Sequence, residues 1–64
     1  MADSLNELII EKYGSQANCA RAMRKTRQYV NKIVLKQREA KVTDINLFAE
    51  TLNVPVSTII NFLS

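Results

Sequence analysis

The sequence predicts an all-α protein built from five short helices. Apolar residues recur at helical spacing in five segments, and residues that favour helix caps precede several of them. With one glycine and one proline, the chain has few of the residues that an all-β fold needs for its many turns. The 64 residues, 47% apolar and 23% charged, suit a single globular domain spanning 1–64. We expect modest stability, because a chain of this length buries only about 60% of its unfolded surface.

The first helix is predicted by a capping box followed by an apolar stripe. Ser4 can accept a hydrogen bond from the third amide of the helix while Glu7 reaches back to the cap. Gly14 can adopt the left-handed conformation that commonly ends a helix. The core side between these two ends would carry Leu5, Leu8, Ile9 and Tyr13.

A second helix follows without a linker. Ser15 can cap it, and we expect it to end near Met23 because Thr26 can cap a third helix. One face of this helix would hold Gln16, Cys19, Ala20 and Met23, and another would hold Ala17, Arg21 and Arg24.

The third helix divides into two faces at about 100° per residue. An ordinary amphipathic helix, with one side in the core and one in water, explains this division. A merely solvated face, however, tends to be rich in glutamate and lysine. The outer face has instead the arginine and amide side chains whose paired polar groups fit the edges of guanine and adenine. The core side would be Val30, Ile33 and Val34, and the outer side Arg27, Gln28, Asn31, Lys32 and Leu35.

A basic connection, residues 36–42, leads to the last two helices. Thr43 or a close neighbour would cap the fourth helix, and the sequence Asn53-Val54-Pro55 would end it. Tyr29, at the edge of the third stripe, is expected to pack on the second helix, and Asp44 to be a helix-end or surface charge. The predicted core stripes are Val42, Ile45, Phe48, Ala49 and Leu52 in the fourth helix, and Val56, Ile59, Ile60 and Leu63 in the fifth.

Basic residues are concentrated in the middle of the chain. Residues 21–41 contain eight of the nine lysines and arginines and one acidic residue, Glu39, for a local charge of +7. The flanking segments 1–20 and 42–64 each carry −2, and the whole chain +3. Such a charged pole suits a polyanionic partner, although a solvated basic surface would look the same.

Several classes of function have no supporting residues. The sequence offers no nucleophile–base pair and no glycine-rich phosphate loop, so we expect neither catalysis nor a cofactor or other small-molecule ligand. Cys19 stands alone and the chain has no histidine, which excludes an internal disulfide and a Cys/His zinc site. Cys19 is expected in the core, in a reducing cytoplasm. The apolar runs are only a few residues long, too short to span a membrane.

Residues 16–33 resemble the helix-turn-helix of the Cro and phage-repressor (XRE-type) family. Gln16 stands where that family places a glutamine that opens the first motif helix, and Thr26 stands at the cap of the recognition helix. The segments INLFAETLNV (45–54) and PVSTIINFL (55–63) are similar to the family's fourth and fifth helices, so the resemblance covers nearly the whole chain. The family's buried or small positions are matched by Cys19, Ala20, Met23, Val30 and Ile33.

Three residues depart from the family pattern. Arg24 replaces a glycine, and a non-glycine residue held in the left-handed region costs on the order of 1 kcal/mol. Lys25 replaces an aliphatic residue and could lay its stem over the core. Lys36 stands where many relatives have a glycine, which would let the third helix run longer than in them.

The resemblance implies a lambda-repressor-like DNA-binding domain with the helix-turn-helix as helices 2 and 3. It implies a sequence-specific transcriptional regulator, a Cro-like repressor in the cytoplasm of a bacterial host cell, with helix 3 in the major groove of an operator. The candidates for reading bases are Arg27, Gln28, Asn31 and Lys32. The candidates for holding backbone phosphates are Gln16, Arg21, Arg24, Lys25, Lys36, Arg38 and Lys41.

A near-palindromic operator would be bound by two copies of the chain. Phe62 falls at the edge of the predicted core stripe of helix 5, so it either packs at the margin of the core or contacts a second copy. Because the resembling family commonly pairs through this region, Phe62 is the candidate contact of a weak homodimer that DNA stabilises.

An alternative function is a helical protein-interaction module, of the antitoxin or antirepressor type, whose basic face binds an acidic protein. Salt-sensitive binding to duplex DNA with a sequence preference would distinguish the two functions.

Overall fold

Five helices make up the regular structure of residues 2–64, which are the residues that the computed structural model describes. No strand occurs within this range, so the predicted all-α class is confirmed. The helices are α1 (Leu5–Tyr13), α2 (Gln16–Met23), α3 (Arg27–Val34), α4 (Val42–Leu52) and α5 (Val56–Leu63). None of them is long and apolar enough to cross a membrane.

Side-chain caps start the first three helices, as predicted. The hydroxyls of Ser4, Ser15 and Thr26 each accept from the amide three residues later, at 3.2, 3.1 and 3.1 Å. The capping box of α1 is shifted by one residue, because Glu7 accepts from the amide of Asp3 at 2.8 Å. These hydrogen bonds satisfy amides that have no partner within the helix.

The fourth helix begins at Val42, one residue before the predicted cap. Its cap position is Lys41 and not Thr43, which lies inside the first turn. The carboxylate of Asp44 accepts from the amide of Lys41 at 3.0 Å and so satisfies that amide from within the helix.

Left-handed residues end four of the helices: Gly14 (φ 83°), Arg24 (φ 60°), Lys36 (φ 59°) and Asn53 (φ 57°). Arg24 therefore adopts the strained conformation expected at the glycine position of the family. The prediction of a longer third helix is wrong, because α3 ends at Val34, Leu35 follows it as the cap, and Lys36 then takes the left-handed conformation. There the amides of Gln37 and Lys36 donate back to the carbonyls of Lys32 and Ile33, at 2.8 and 3.1 Å, which closes the helix end.

The core is formed by one face of every helix, and α2 packs against α1, α3 and α4. The predicted stripes of α1, α2 and α3 are buried or half-buried, with Cys19 fully buried. The hydroxyl of Tyr13 adds a hydrogen bond of 2.8 Å to the carbonyl of Thr51, which ties α1 to α4. The buried apolar residues are Leu5, Leu8, Ile9, Cys19, Ala20, Met23, Val30, Ile33, Phe48, Ala49, Leu52 and Ile59.

The predicted stripes of α4 and α5 need correction. Val42 is 74% exposed because it is the first residue of α4, ahead of the turn that meets the core. In α5 the core side runs through Ile59, Phe62 and Leu63, while Ile60 is 46% exposed. Helical spacing allowed either stripe, and the structure packs the larger phenylalanine ring against the core. Val56, at the start of α5, is also exposed.

Candidate nucleic-acid interface

The outer face of α3 is a row of polar side chains directed away from the core. Val30 and Ile33 are fully buried and fix this orientation, while Asn31 is half-buried. Within residues 2–64, no side chain of this row makes a hydrogen bond or an ion pair with another protein group. Their polar groups are therefore available to a partner. The three exposed members of the row are Arg27, Gln28 and Lys32.

One edge of α3 borders a groove of about 300 Å³ against the start of α1 and of α2. Arg27 and Asn31 line it from α3, and Gln16 lines it from α2. The Nε2 atom of Gln16 donates to Oδ1 of Asn6 at 2.7 Å, and its Oε1 atom is buried with no hydrogen-bond partner among residues 2–64. Gln16 therefore lines the groove at the start of α2, with its donor nitrogen bonded to another side chain. Its predicted contact with phosphate stays a prediction.

The opposite edge of α3 borders a second groove, of about 530 Å³, which we call the basic groove. It lies between the α2–α3 turn and the connection that precedes α4. Its lining residues are Arg24, Lys25, Thr26, Gln28, Tyr29, Lys32 and Arg38. The structure therefore brings together three of the predicted phosphate contacts, Arg24, Lys25 and Arg38, with two of the predicted base-reading residues.

The predicted phosphate contacts outside the two grooves are more dispersed. Arg21, Lys36 and Lys41 are exposed, and Nζ of Lys36 lies 3.4 Å from the carbonyl oxygen of Ser64. In the part of the chain that the structure describes, the one ion pair joins Arg38 to Asp44, with 3.8 Å between Nη2 and Oδ2. The remaining positive charge of residues 21–41 is thus not neutralised by acidic side chains of residues 2–64.

Tyr29 joins α3 to α4 at the inner wall of the basic groove. Its ring stacks on Phe48, with 6.3 Å between ring centroids and 7° between ring planes, and its hydroxyl donates to Oδ1 of Asp44. Its aromatic and polar partners thus both belong to α4, while the expected packing on α2 stays a prediction. Asp44 is 7% exposed and is a helix-end charge but not a surface charge. The signal in the sequence was the position of Tyr29 at the edge of the core stripe. A tyrosine in such a position is half-buried and needs a partner for its hydroxyl.

Two cations lie against the ring of Tyr29. Nζ of Lys25 is 5.3 Å from the ring centroid, and Cζ of Arg38 is 5.1 Å from it. Lys25 therefore places its ammonium over an aromatic ring. Such contacts attract a cation to the negative face of the ring.

The environment of Tyr29 and Asp44 shifts the pKa of both side chains. Burial raises the pKa of Tyr29, and its hydrogen bond to Asp44 and the negative charge of that carboxylate raise it further, while Arg38 opposes them. For Asp44, burial alone would raise the pKa. The hydrogen bonds from Tyr29 and from the amide of Lys41, with the charges of Arg38 and Lys25, hold the pKa of this carboxyl below its ordinary value.

The other titratable residue in the core is Cys19. Burial raises the pKa of its thiol, and its Sγ atom lies 3.7 Å from Sδ of Met23. Both features fit the predicted core cysteine. Within residues 2–64, no group of three or more histidine, cysteine, aspartate or glutamate side chains could hold a metal ion.

The candidate dimer contact lies on α5. Phe62 is half-buried and packs against the core, whereas Ile60 is the more exposed of the two exposed large apolar residues of this helix, the other being Val56 at its start. Ile60 lines a groove of about 330 Å³ together with Ala40, Ile45 and Leu63. The exposed apolar surface of α5 therefore centres on Ile60, with Phe62 at its border.

Comparisons of the chain with protein-family models, curated proteins and solved structures gave no match. The resemblance of residues 16–63 to the Cro and phage-repressor family therefore remains a prediction that rests on the residues themselves.

Proposed function

We propose that this protein is a sequence-specific DNA-binding transcriptional regulator of the Cro and phage-repressor type, with α3 inserted in the major groove. The observation that carries the proposal is the outer face of α3, whose arginine, lysine and amide groups have no protein partners within residues 2–64. Gln28 and Lys32 of this face also line the basic groove. A single helix about 10–12 Å across fits a major groove about 12 Å wide.

The residue types of this face match the chemistry of base edges. Arg27 and Lys32 would donate to O6 and N7 of guanine, and Gln28 and Asn31 would pair with N6 and N7 of adenine. Leu35, 55% exposed at the end of the same face, could contact a thymine methyl group. Val30 and Ile33 hold the helix by its buried side, so that the reading side chains project from a rigid support.

The surrounding cations would hold the sugar–phosphate backbone. Arg24, Lys25 and Arg38 line the basic groove, and Arg21, Lys36 and Lys41 extend the positive surface. Contacts of this kind position the duplex without reading its sequence, and they make binding sensitive to salt. Gln16 could add a phosphate contact through its backbone amide at the start of α2, since its Nε2 atom bonds to Asn6.

Regulation would follow from occupancy of a promoter by a homodimer, which excludes the polymerase. Two recognition helices on one face of DNA lie about 34 Å apart, which corresponds to a near-palindromic operator. The apolar surface around Ile60 and Phe62 is the proposed contact between the copies. Because this surface is small, the free dimer would be weak and the operator would stabilise it.

Selection of bound sites from random duplex DNA tests the proposal. We expect enrichment of one motif with two similar half-sites, bound with an affinity that falls steeply with salt. Equal binding of all duplexes would contradict sequence-specific regulation. No duplex binding, together with tight binding of an acidic protein, would identify a protein-interaction module.

A further inference from the structure

The Tyr29–Asp44 contact joins α3 to a helix other than its main neighbour. The helix against which α3 mainly packs is α2, whereas Tyr29 connects α3 to α4 through Phe48 and Asp44. Asp44 is the buried charged residue among residues 2–64. It accepts from the hydroxyl of Tyr29 and from the amide of Lys41, so its side chain is held from two elements.

The same contact gathers cations from two separate segments. Lys25 comes from the α2–α3 turn and Arg38 from the α3–α4 connection, yet both lie within 5.3 Å of the centroid of the Tyr29 ring. Two cations held at one ring repel each other. Asp44, whose Oδ2 atom is 3.8 Å from Nη2 of Arg38, supplies the negative charge that offsets this repulsion.

We propose that Tyr29 and Asp44 are positioning residues that hold Lys25 and Arg38 together as one phosphate-binding unit beside α3. Neither Tyr29 nor Asp44 contacts the phosphate, and both act through the two cations. The groove of about 530 Å³ that Tyr29, Lys25 and Arg38 line has room for a backbone phosphate. This inference rests on the proposed DNA binding and adds to it how the backbone is held in register with the reading helix.

The sign of the effect of Asp44→Asn distinguishes positioning from simple charge. Removal of an acidic charge near the DNA should tighten binding if only the net charge matters. Positioning requires the opposite result, because the cations lose the group that holds them together. Glu39→Gln is the matched control: it removes the same charge from the same region, but Glu39 is exposed and is bonded to no group within residues 2–64.

The experiment measures binding of random duplex DNA against salt concentration for the wild type, Asp44→Asn, Tyr29→Phe and Glu39→Gln. We expect Glu39→Gln to bind more tightly, and Asp44→Asn and Tyr29→Phe to bind more weakly with a salt slope lower by about 1. Tyr29→Phe keeps the ring and all charges, so it reports on the hydrogen bond to Asp44 alone. Helix content measured by circular dichroism at the assay temperature confirms that each variant is folded.

A double-variant comparison tests whether Asp44 acts through the cations. Asp44→Asn should weaken binding of the wild type clearly but weaken binding of Arg38→Ala much less, since one of the two positioned cations is then absent. Tighter binding by Asp44→Asn, as in Glu39→Gln, or an equal loss in the Arg38→Ala background, would overturn the inference. Failure of the wild type to bind any duplex is a different result, and it would overturn the proposed function as well.

Discussion

Asp44 is a buried carboxylate that joins α4 to α3. Its carboxylate is buried and accepts hydrogen bonds from Tyr29 and from the amide of Lys41. A hydrogen bond to a charged group contributes about 1.5–3 kcal/mol, and a buried charge without partners would cost a similar amount or more. The residue is therefore stabilising only while its partners are in place and its carboxyl is ionised.

Acid should weaken this contribution. Because the pKa of Asp44 is lower in the folded protein than the ordinary value of 3.8, the folded state binds its proton less readily than the unfolded state. The stabilisation is thus fully present above about pH 4 and is lost as the pH falls through the lowered pKa. We expect Asp44→Asn to reduce the free energy of unfolding by about 1–2 kcal/mol near neutral pH. Urea unfolding at several pH values should show this difference shrinking in acid.

Glu39→Gln serves as the control for this measurement, since its exposed carboxyl has no partner within residues 2–64. A difference between wild type and Asp44→Asn that stays constant down to strongly acidic pH would show that ionisation of Asp44 does not stabilise the fold.

The side-chain amides on the outer face of α3, those of Gln28 and Asn31, are predicted to read the base sequence. Gln28→Ala and Asn31→Ala should each cost roughly 1–3 kcal/mol on the best site and relax the preference at one base pair. Asn46→Ala removes an exposed amide of α4 and should change neither the affinity for the best site nor the base-pair preference. Competition binding on the selected site and its single-base variants provides the measurement. If either α3 variant weakens specific and random DNA equally, that residue does not read sequence.

At the scale of the helices, the ends of α2 and α3 combine strain with charge. Both end in a left-handed basic residue, Arg24 or Lys36, where glycine would be free of steric strain. Asn53 ends α4 in the same conformation but carries no charge. The two basic helix ends flank the proposed reading helix, so the strain falls where cations would meet the DNA backbone.

Replacement of these residues by glycine separates the effect of backbone strain on stability from the effect of the positive charge on DNA binding. Arg24→Gly, Lys36→Gly and Asn53→Gly should each raise the free energy of unfolding by up to about 1 kcal/mol, because the left-handed strain is relieved. If its cation holds a phosphate, Arg24→Gly or Lys36→Gly should also lower the salt slope of DNA binding by about 1. Asn53→Gly is the control and should bind DNA as the wild type does. An unchanged slope in both basic variants would mean that these charges do not contact phosphate.

The molecule as a whole measures 25 × 23 × 19 Å, so one copy can cover only a short stretch of duplex. A regulator of this size gains specificity by binding two half-sites at once. The surface available for pairing on α5 is the exposed side of Ile60, with the half-buried ring of Phe62 beside it.

Variants of α5 test the pairing. Ile60→Ala should leave the monomer nearly as stable, since its side chain is 46% exposed, but should lower cooperative binding to a two-half-site operator. Phe62→Ala should have the same effect on cooperativity and should also destabilise the fold, because its ring packs against the core. Sedimentation with and without operator DNA, with one half-site as the reference, measures the pairing of the copies. Urea unfolding measures the stability of each variant. Wild-type dimerisation by both variants on the operator would place the interface elsewhere.

Much of this protein could be predicted from the sequence because its signals are local. Serine and threonine caps bond to amides three residues away, and the apolar stripes of α1, α2 and α3 follow from helical spacing alone. The same spacing placed Arg27, Gln28, Asn31 and Lys32 on the exposed side of α3, and the charge of +7 in residues 21–41 needed only counting. By itself the sequence determined the helices, most of the core and the polar face.

The tertiary structure decided the features that depend on which helices meet. The bond between Tyr29 and Asp44 joins residues 15 apart in the chain, and the bond between Tyr13 and Thr51 joins residues 38 apart. No local pattern specifies such partners, because they follow from the packing of whole helices. In α5 two stripes fitted the helical period, and only contact with the other helices selected Phe62 over Ile60 for the core. The convergence of Lys25 and Arg38 on one ring likewise arises because the fold brings the two turns flanking α3 to the same side of that helix.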